Sequence, residues 1–148
     1  MSENKMSIGW IGAGRMGIQL ATRLIEAGYD VAVYNRTKSK LQPLLDIGAT
    51  AVDQPVDLSG RDLVFSMVSA SADLKQVMLG EGGLLTGSTT PKVIADSSTV
   101  STEASAEIRA AAEGRGAAFL ATPVSGNPAV IAAGKLTVAV SGPRETFD

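Results

Sequence analysis

The sequence contains no cysteine and no histidine among its 148 residues. The first absence excludes a disulfide framework and thiolate chemistry. The second removes the commonest general acid–base side chain and the commonest nitrogen ligand for a transition metal. Charge of one sign is also lacking: 13 basic against 15 acidic side chains leave a formal net charge of −2. No broad basic face is implied, so nucleic acid is not expected as a partner. No apolar run approaches the roughly 20 residues that span a bilayer, and no membrane association is expected. The opening stretch Met1–Lys5 is polar and lacks the apolar segment of a signal peptide, so a cytoplasmic location is expected. What remains is an ordinary globular balance, 45% apolar and 19% charged, in a chain long enough for one domain with a real core.

Strand and helix patterns alternate along the chain. Ser7–Ile11 is a short apolar run ending in glycines, as expected of a buried parallel strand. Met16, Leu20, Leu24 and Ile25 recur at helical spacing and predict a helix over Met16–Ala27, with Gly28 as its cap. Val31–Tyr34 is a second strand. Ser39–Ile47 is a helix with Pro43 in or near its first turn, ending at Gly48, and Ala49–Val52 is a short third strand. Asp62–Val68 is the next clear strand, followed by a helix over Ser71–Leu79 and a strand at Val93–Ala95. Ser101 or Thr102 caps the following helix, with Gly114 beyond its end. Strands are also expected at Ala118–Leu120 and Leu136–Val140. This alternation predicts a Rossmann-type, doubly wound α/β fold, a mostly parallel sheet with helices on both faces.

Gly12-Ala13-Gly14-Arg15-Met16-Gly17 matches G-x-G-x-x-G. Alone the pattern is weak in a glycine-rich chain. Here it follows a strand and opens a helix, which gives each glycine a mechanical task. Gly12 permits the tight turn, Gly14 lets the backbone approach a pyrophosphate, and Gly17 lets the helix pack closely on the strand. The freed N–H groups of the loop, Ala13, Arg15 and Met16 included, and the helix dipole then face the anion.

Domains of this kind that bind NAD usually place an acid at the end of the second strand, for the ribose 2′-OH. Here that strand ends Tyr34-Asn35-Arg36-Thr37, and Asp30 stands before it. Arg36 offers a fixed positive fork to a 2′-phosphate. Asn35 and Thr37 add neutral hydrogen-bonding groups, and Lys38 and Lys40 raise the local potential. The expected cofactor is therefore NADP(H).

Two further segments should lie at the carboxyl edge of the sheet, where ligands bind in this architecture. Met67-Val68-Ser69 ends one strand. Met67 and Val68 either pack against a ring of the cofactor or belong to the core. Asp96-Ser97-Ser98-Thr99 ends another, and Thr99 is the favoured ligand there. Pro123-Val124-Ser125-Gly126-Asn127-Pro128 supplies a hydroxyl, an amide and exposed backbone in one rigid loop. These groups suit a small carboxylate or hydroxy acid, although such a loop is also a plausible plain turn.

Taken together, these segments and Gly134-Lys135-Leu136-Thr137 resemble the β-hydroxyacid dehydrogenase family, from Ile8 almost to the end of the chain. That family includes 3-hydroxyisobutyrate dehydrogenases, glyoxylate/succinic semialdehyde reductases and 6-phosphogluconate dehydrogenases, with imine reductases as close relatives. The resemblance implies that the glycine loop, the Asn35-Arg36-Thr37 turn and Thr99 bind the cofactor. It also implies that Ser125 and Gly126 contact the substrate carboxylate. Ala121-Thr122 stands where the family usually has Asp-Ala, and Asn127 replaces a second glycine, which alters what the loop accepts. The family's catalytic Lys lies in a helical domain after the dinucleotide domain, and none of the lysines here matches it. The expected parent is an NADP-dependent dehydrogenase or reductase, a homodimer, acting on a small hydroxy acid or its carbonyl partner. The chain alone is expected to bind cofactor, turn over little, and expose an apolar patch at its substrate edge. An imine reductase and a non-catalytic NADP(H) sensor are the alternatives.

Overall fold

The computed structural model describes residues 7–68, 70–98, 101–121, 124–125 and 137–138. Six strands form one sheet: β1 (Ser7–Ile11), β2 (Asp30–Tyr34), β3 (Thr50–Ala51), β4 (Leu63–Ser66), β5 (Val93–Asp96) and β6 (Ala118–Ala121). Their spatial order is β3-β2-β1-β4-β5-β6, and every pairing is parallel. The order reverses between β1 and β4, and that reversal places the site. Val124–Ser125 (β7) and Thr137–Val138 (β8) pair antiparallel in a separate ribbon.

Alternation along the strands feeds two cores, one on each face. Ile8, Trp10, Val31 and Val33 point to one face, where they meet Ala21 of α1 (Arg15–Glu26) and Leu44 of α2 (Gln42–Leu45). Ile11, Ala32, Val64 and Ile94 point to the other. There they pack on Leu74 and Met78 of α3 (Ser71–Leu79) and on Ile108 and Ala112 of α4 (Thr102–Gly114). Helices therefore cover both faces, as the alternation predicts. Burying each such aliphatic side chain contributes about 1.5–3 kcal/mol.

Three helices end in the same device. Gly28 (φ 94°), Gly48 (φ 115°) and Gly116 (φ 90°) take the left-handed conformation just past α1, α2 and α4. At each, two crossed bonds return the chain toward the next strand, as in Gly28 N–H to Ile25 O at 3.0 Å and Tyr29 N–H to Leu24 O at 3.3 Å.

Two expectations are corrected. The helix expected over Ser39–Ile47 is a 3-10 turn at Lys38–Leu41 followed by the single α-turn Gln42–Leu45. Pro43 has no N–H to donate back to Ser39, and its ring crowds that carbonyl, so one continuous helix cannot run through it. The fourth helix runs through Gly114 rather than stopping before it. Gly116 is the glycine past its end, since Gly116 N–H bonds Glu113 O and Ala117 N–H bonds Ala112 O.

Candidate functional site

Because β1 and β4 send their helices to opposite faces, a cleft opens between them at the carboxyl edge. It encloses about 750 Å³, solvent-filled space included. Ile11–Gly14 form its floor, and the loop after β2, Tyr34–Thr37 with Lys40, forms one wall. Met67, Val68 and the α3 residues Asp73, Gln76 and Val77 form the other.

The three glycines of the loop do different things. Gly12 has φ 108°, and a Cβ built on it would sit 2.0 Å from the carbonyl oxygen of Met67. Gly17 would bring a Cβ within 2.7 Å of Gly12 O, so its bareness lets α1 seat against the loop. A Cβ on Gly14 would meet nothing within 4 Å. That space opens on the cleft, and it is where a ligand's phosphate has room to approach the backbone.

The loop is also held from behind. Trp10, 2% exposed, donates its indole Nε1–H to Gly12 O at 2.8 Å and lies against Phe65, with ring centroids 5.2 Å apart. In front, Ala13 N–H donates to Asn35 Oδ1 at 3.0 Å, and Asn35 Nδ2 donates to Thr37 O at 2.9 Å. The Asn35 amide thus ties the glycine loop to the loop after β2.

The start of α1 is electrostatically bare. No side chain caps it and no acid stands in its first turn. By contrast, α3 carries Asp73 in its first turn, and α4 has Glu103 there and Ser101 Oγ accepting from Ala104 N–H. The positive end of the α1 dipole is left for an anion from outside.

At the end of β2, Arg36 projects into solvent and pairs with Asp73 of α3 across the cleft, Nη1 to Oδ1 at 3.4 Å. Thr37 and Lys40 stand on the same wall. Lys38 pairs instead with Asp53. Asp30 lies at the opposite edge of the sheet, paired with Arg61 at 3.0 Å.

Behind the second wall lies a buried carboxylate. Asp96, 2% exposed, accepts from Ser66 Oγ at 2.8 Å, Ser98 Oγ at 2.7 Å and Ser98 N–H at 3.2 Å. Ser98 Oγ in turn accepts from Val68 N–H at 2.8 Å. Burial pushes the Asp96 carboxyl above its usual range, and the bonds from Ser98 and Ser66 offset part of that rise. The network fixes the backbone where β4 and β5 run out.

Of the residues singled out in the sequence, Gly12, Ala13, Gly14, Asn35, Arg36, Thr37, Met67 and Val68 line this one cleft. Met67 and Val68 also pack against the two cores, one against each, as their core reading expects. Arg15 and Met16 open α1 at the cleft's edge without lining it. Ser69, Thr99, Gly126 and Asn127 lie outside the described residues, and of Ser125 only the backbone pairing of β7 is described. The sequence reading missed Trp10, Asp73, Gln76 and Val77. Trp10 reads there only as an apolar strand residue. The helical phase of α3 carried a signal for the others, because Asp73, Gln76 and Val77 share a face at i, i+3 and i+4. Among the described residues no group of acids could hold a metal, and no helix is long and apolar enough to cross a membrane.

Residues 7–148 match the NAD binding domain of 6-phosphogluconate dehydrogenase. An NAD-dependent L-serine dehydrogenase of Pseudomonas aeruginosa is 37% identical over 95% of this chain and 48% of its own length. A probable mitochondrial 3-hydroxyisobutyrate dehydrogenase-like protein of Arabidopsis thaliana is 36% identical over 99% of this chain and 44% of its own. The solved structure of Psf3 in complex with NADP+ and 2-OPP superimposes with a TM-score of 0.86 at 30% identity, covering 95% of this chain and 50% of that one. The chain spans about half the length of the curated relatives it matches. A strand order that reverses at a glycine loop, an uncapped helix behind it and a family match over nearly the whole chain agree: the protein belongs to the family of the NAD-binding domain of 6-phosphogluconate dehydrogenase, alongside the 3-hydroxyisobutyrate dehydrogenase-like oxidoreductases.

Proposed function

We propose that this chain is the NADP(H)-binding domain of a dehydrogenase or reductase that moves a hydride between the nicotinamide ring and a small β-hydroxy acid or its carbonyl partner. The observation that carries the reading is the pairing of a bare α1 N-terminus with a β2 end whose own residues include Arg36 and no acid. Backbone N–H groups from Gly14 to Met16 would hold the pyrophosphate. Arg36, with Thr37 and Lys40 beside it, would hold the 2′-phosphate. Asn35 would brace the two loops. Met67 and Val68 would pack against a ring of the dinucleotide, with the Asp96 network holding their backbone. Ser69 and Thr99 would add polar contacts, and Ser125, Gly126 and Asn127 would orient the substrate carboxylate. The solved relative that carries NADP+ supports the phosphorylated cofactor. The parent enzyme is proposed as a cytoplasmic homodimer.

The test is a calorimetric titration of the chain with NADPH and NADH at two salt concentrations. A charge-assisted contact of about 1.5–3 kcal/mol predicts NADPH binding roughly 10- to 100-fold tighter, less so at high salt. The advantage should vanish in Arg36→Ala. Equal affinities would overturn the assignment of Arg36, and binding of neither would overturn the reading that this chain holds the dinucleotide.

A further inference from the structure

The guanidinium that the cofactor reading gives to the 2′-phosphate already has a carboxylate partner. Asp73 stands in the first turn of α3, on the wall of the cleft facing the loop after β2. Its Oδ1 lies 3.4 Å from Arg36 Nη1, and the two side chains differ sharply in exposure, 29% for Asp73 against 82% for Arg36. The carboxylate is therefore the fixed member of the pair and the guanidinium the swinging one. Arg36 stands free of packing on a flexible stem, whereas Asp73 sits at the start of a helix anchored in the core through Leu74 and Met78.

We infer that Asp73 is an internal competitor for Arg36 and so sets how strongly this chain prefers the phosphorylated dinucleotide; the inference rests on the cofactor reading above. A 2′-phosphate taking Arg36 must displace Asp73 or accept a like charge beside it. A dinucleotide without that phosphate meets neither obstacle, and the pair can stay closed. The single contact at 3.4 Å leaves the other guanidinium donors unused by Asp73, so the pair opens readily. Asp73 is thus a selectivity-setting residue. It lowers NADP(H) affinity without touching the pyrophosphate cradle on the floor of the cleft.

Asp73→Asn keeps the side chain's shape and removes its charge. Partly screened repulsion at this exposure predicts NADPH binding about 3- to 10-fold tighter and NADH binding changed by less than about twofold. Far-UV circular dichroism and the thermal midpoint check the fold. Asp73→Ser, also tolerated at a helix start, serves as a second variant if the first is compromised. NADPH binding that is unchanged or weaker, with Arg36→Ala still abolishing the preference, overturns the competition and leaves the cofactor reading standing. An equal gain for both dinucleotides also overturns it. If the unsubstituted chain shows no NADPH preference, or Arg36→Ala leaves one intact, both readings fall together.

Discussion

Replacing Trp10 with Phe tests how the glycine loop is held. The substitution keeps an aromatic ring against Phe65 but deletes the indole N–H that meets Gly12 O at 2.8 Å. A buried carbonyl that loses its donor costs about 1–3 kcal/mol. The smaller ring leaves a void in a site that is 2% exposed, adding on the order of 1 kcal/mol. The sum, about 2–4 kcal/mol, is a large share of the ~5–15 kcal/mol that holds a domain of this size together. Urea unfolding followed by far-UV circular dichroism measures it, since the variant has lost the only tryptophan in the sequence. A loss below about 0.5 kcal/mol would refute the reasoning and mean that another donor serves Gly12 O. The same indole gives the unsubstituted chain a built-in signal. It sits directly behind the loop, so its fluorescence should change when NADPH binds.

The remaining predictions separate folding from binding. Gly12→Ala places a methyl 2.0 Å from Met67 O at a positive φ, and should leave too little folded protein for a thermal transition to be recorded. Gly14→Ala adds a methyl to open space at φ −73°. It should lower stability by no more than about 1 kcal/mol while weakening dinucleotide binding at least tenfold by calorimetry. Asp96 has a folded-state pKa raised by burial above 3.8. Its contribution to stability is therefore full below that value and is lost as pH rises through the folded value. Asp96→Asn should accordingly cost more near about pH 4 than at about pH 7, read from urea midpoints, and a larger cost at neutral pH would contradict the sign.

Periodicity and punctuation made most of the fold readable. The bounds of Ser7–Ile11 and Ser71–Leu79 agree with the structure to the residue, because a buried strand and a helix that ends at a glycine are each specified by their own residues. The glycine loop was readable for the same reason. Part of what escaped was set by a partner distant in sequence, and part by contacts too local to show as a pattern. Asp73 meets Arg36 across 37 residues, and Trp10 looks like any core aromatic until the loop folds back over it. The 3-10 turn at Pro55–Leu58 is braced by Asp57, whose carboxylate accepts from Gln54 N–H at 3.1 Å, a pattern too short to show as a period.

Six of the glycines form two groups with different signatures of loss. Gly12, Gly14 and Gly17 gather at the carboxyl edge, while Gly28, Gly48 and Gly116 turn the chain at the opposite edge, away from the cleft. A side chain at one of those three turns costs roughly 1–2 kcal/mol in backbone strain and leaves the cleft untouched. Variation there changes how much protein a cell keeps, through the folded fraction that escapes degradation, while every surviving molecule binds as before. A survey of variants by activity per cell would confuse such positions with the cleft, whereas activity per folded molecule would tell the two edges apart.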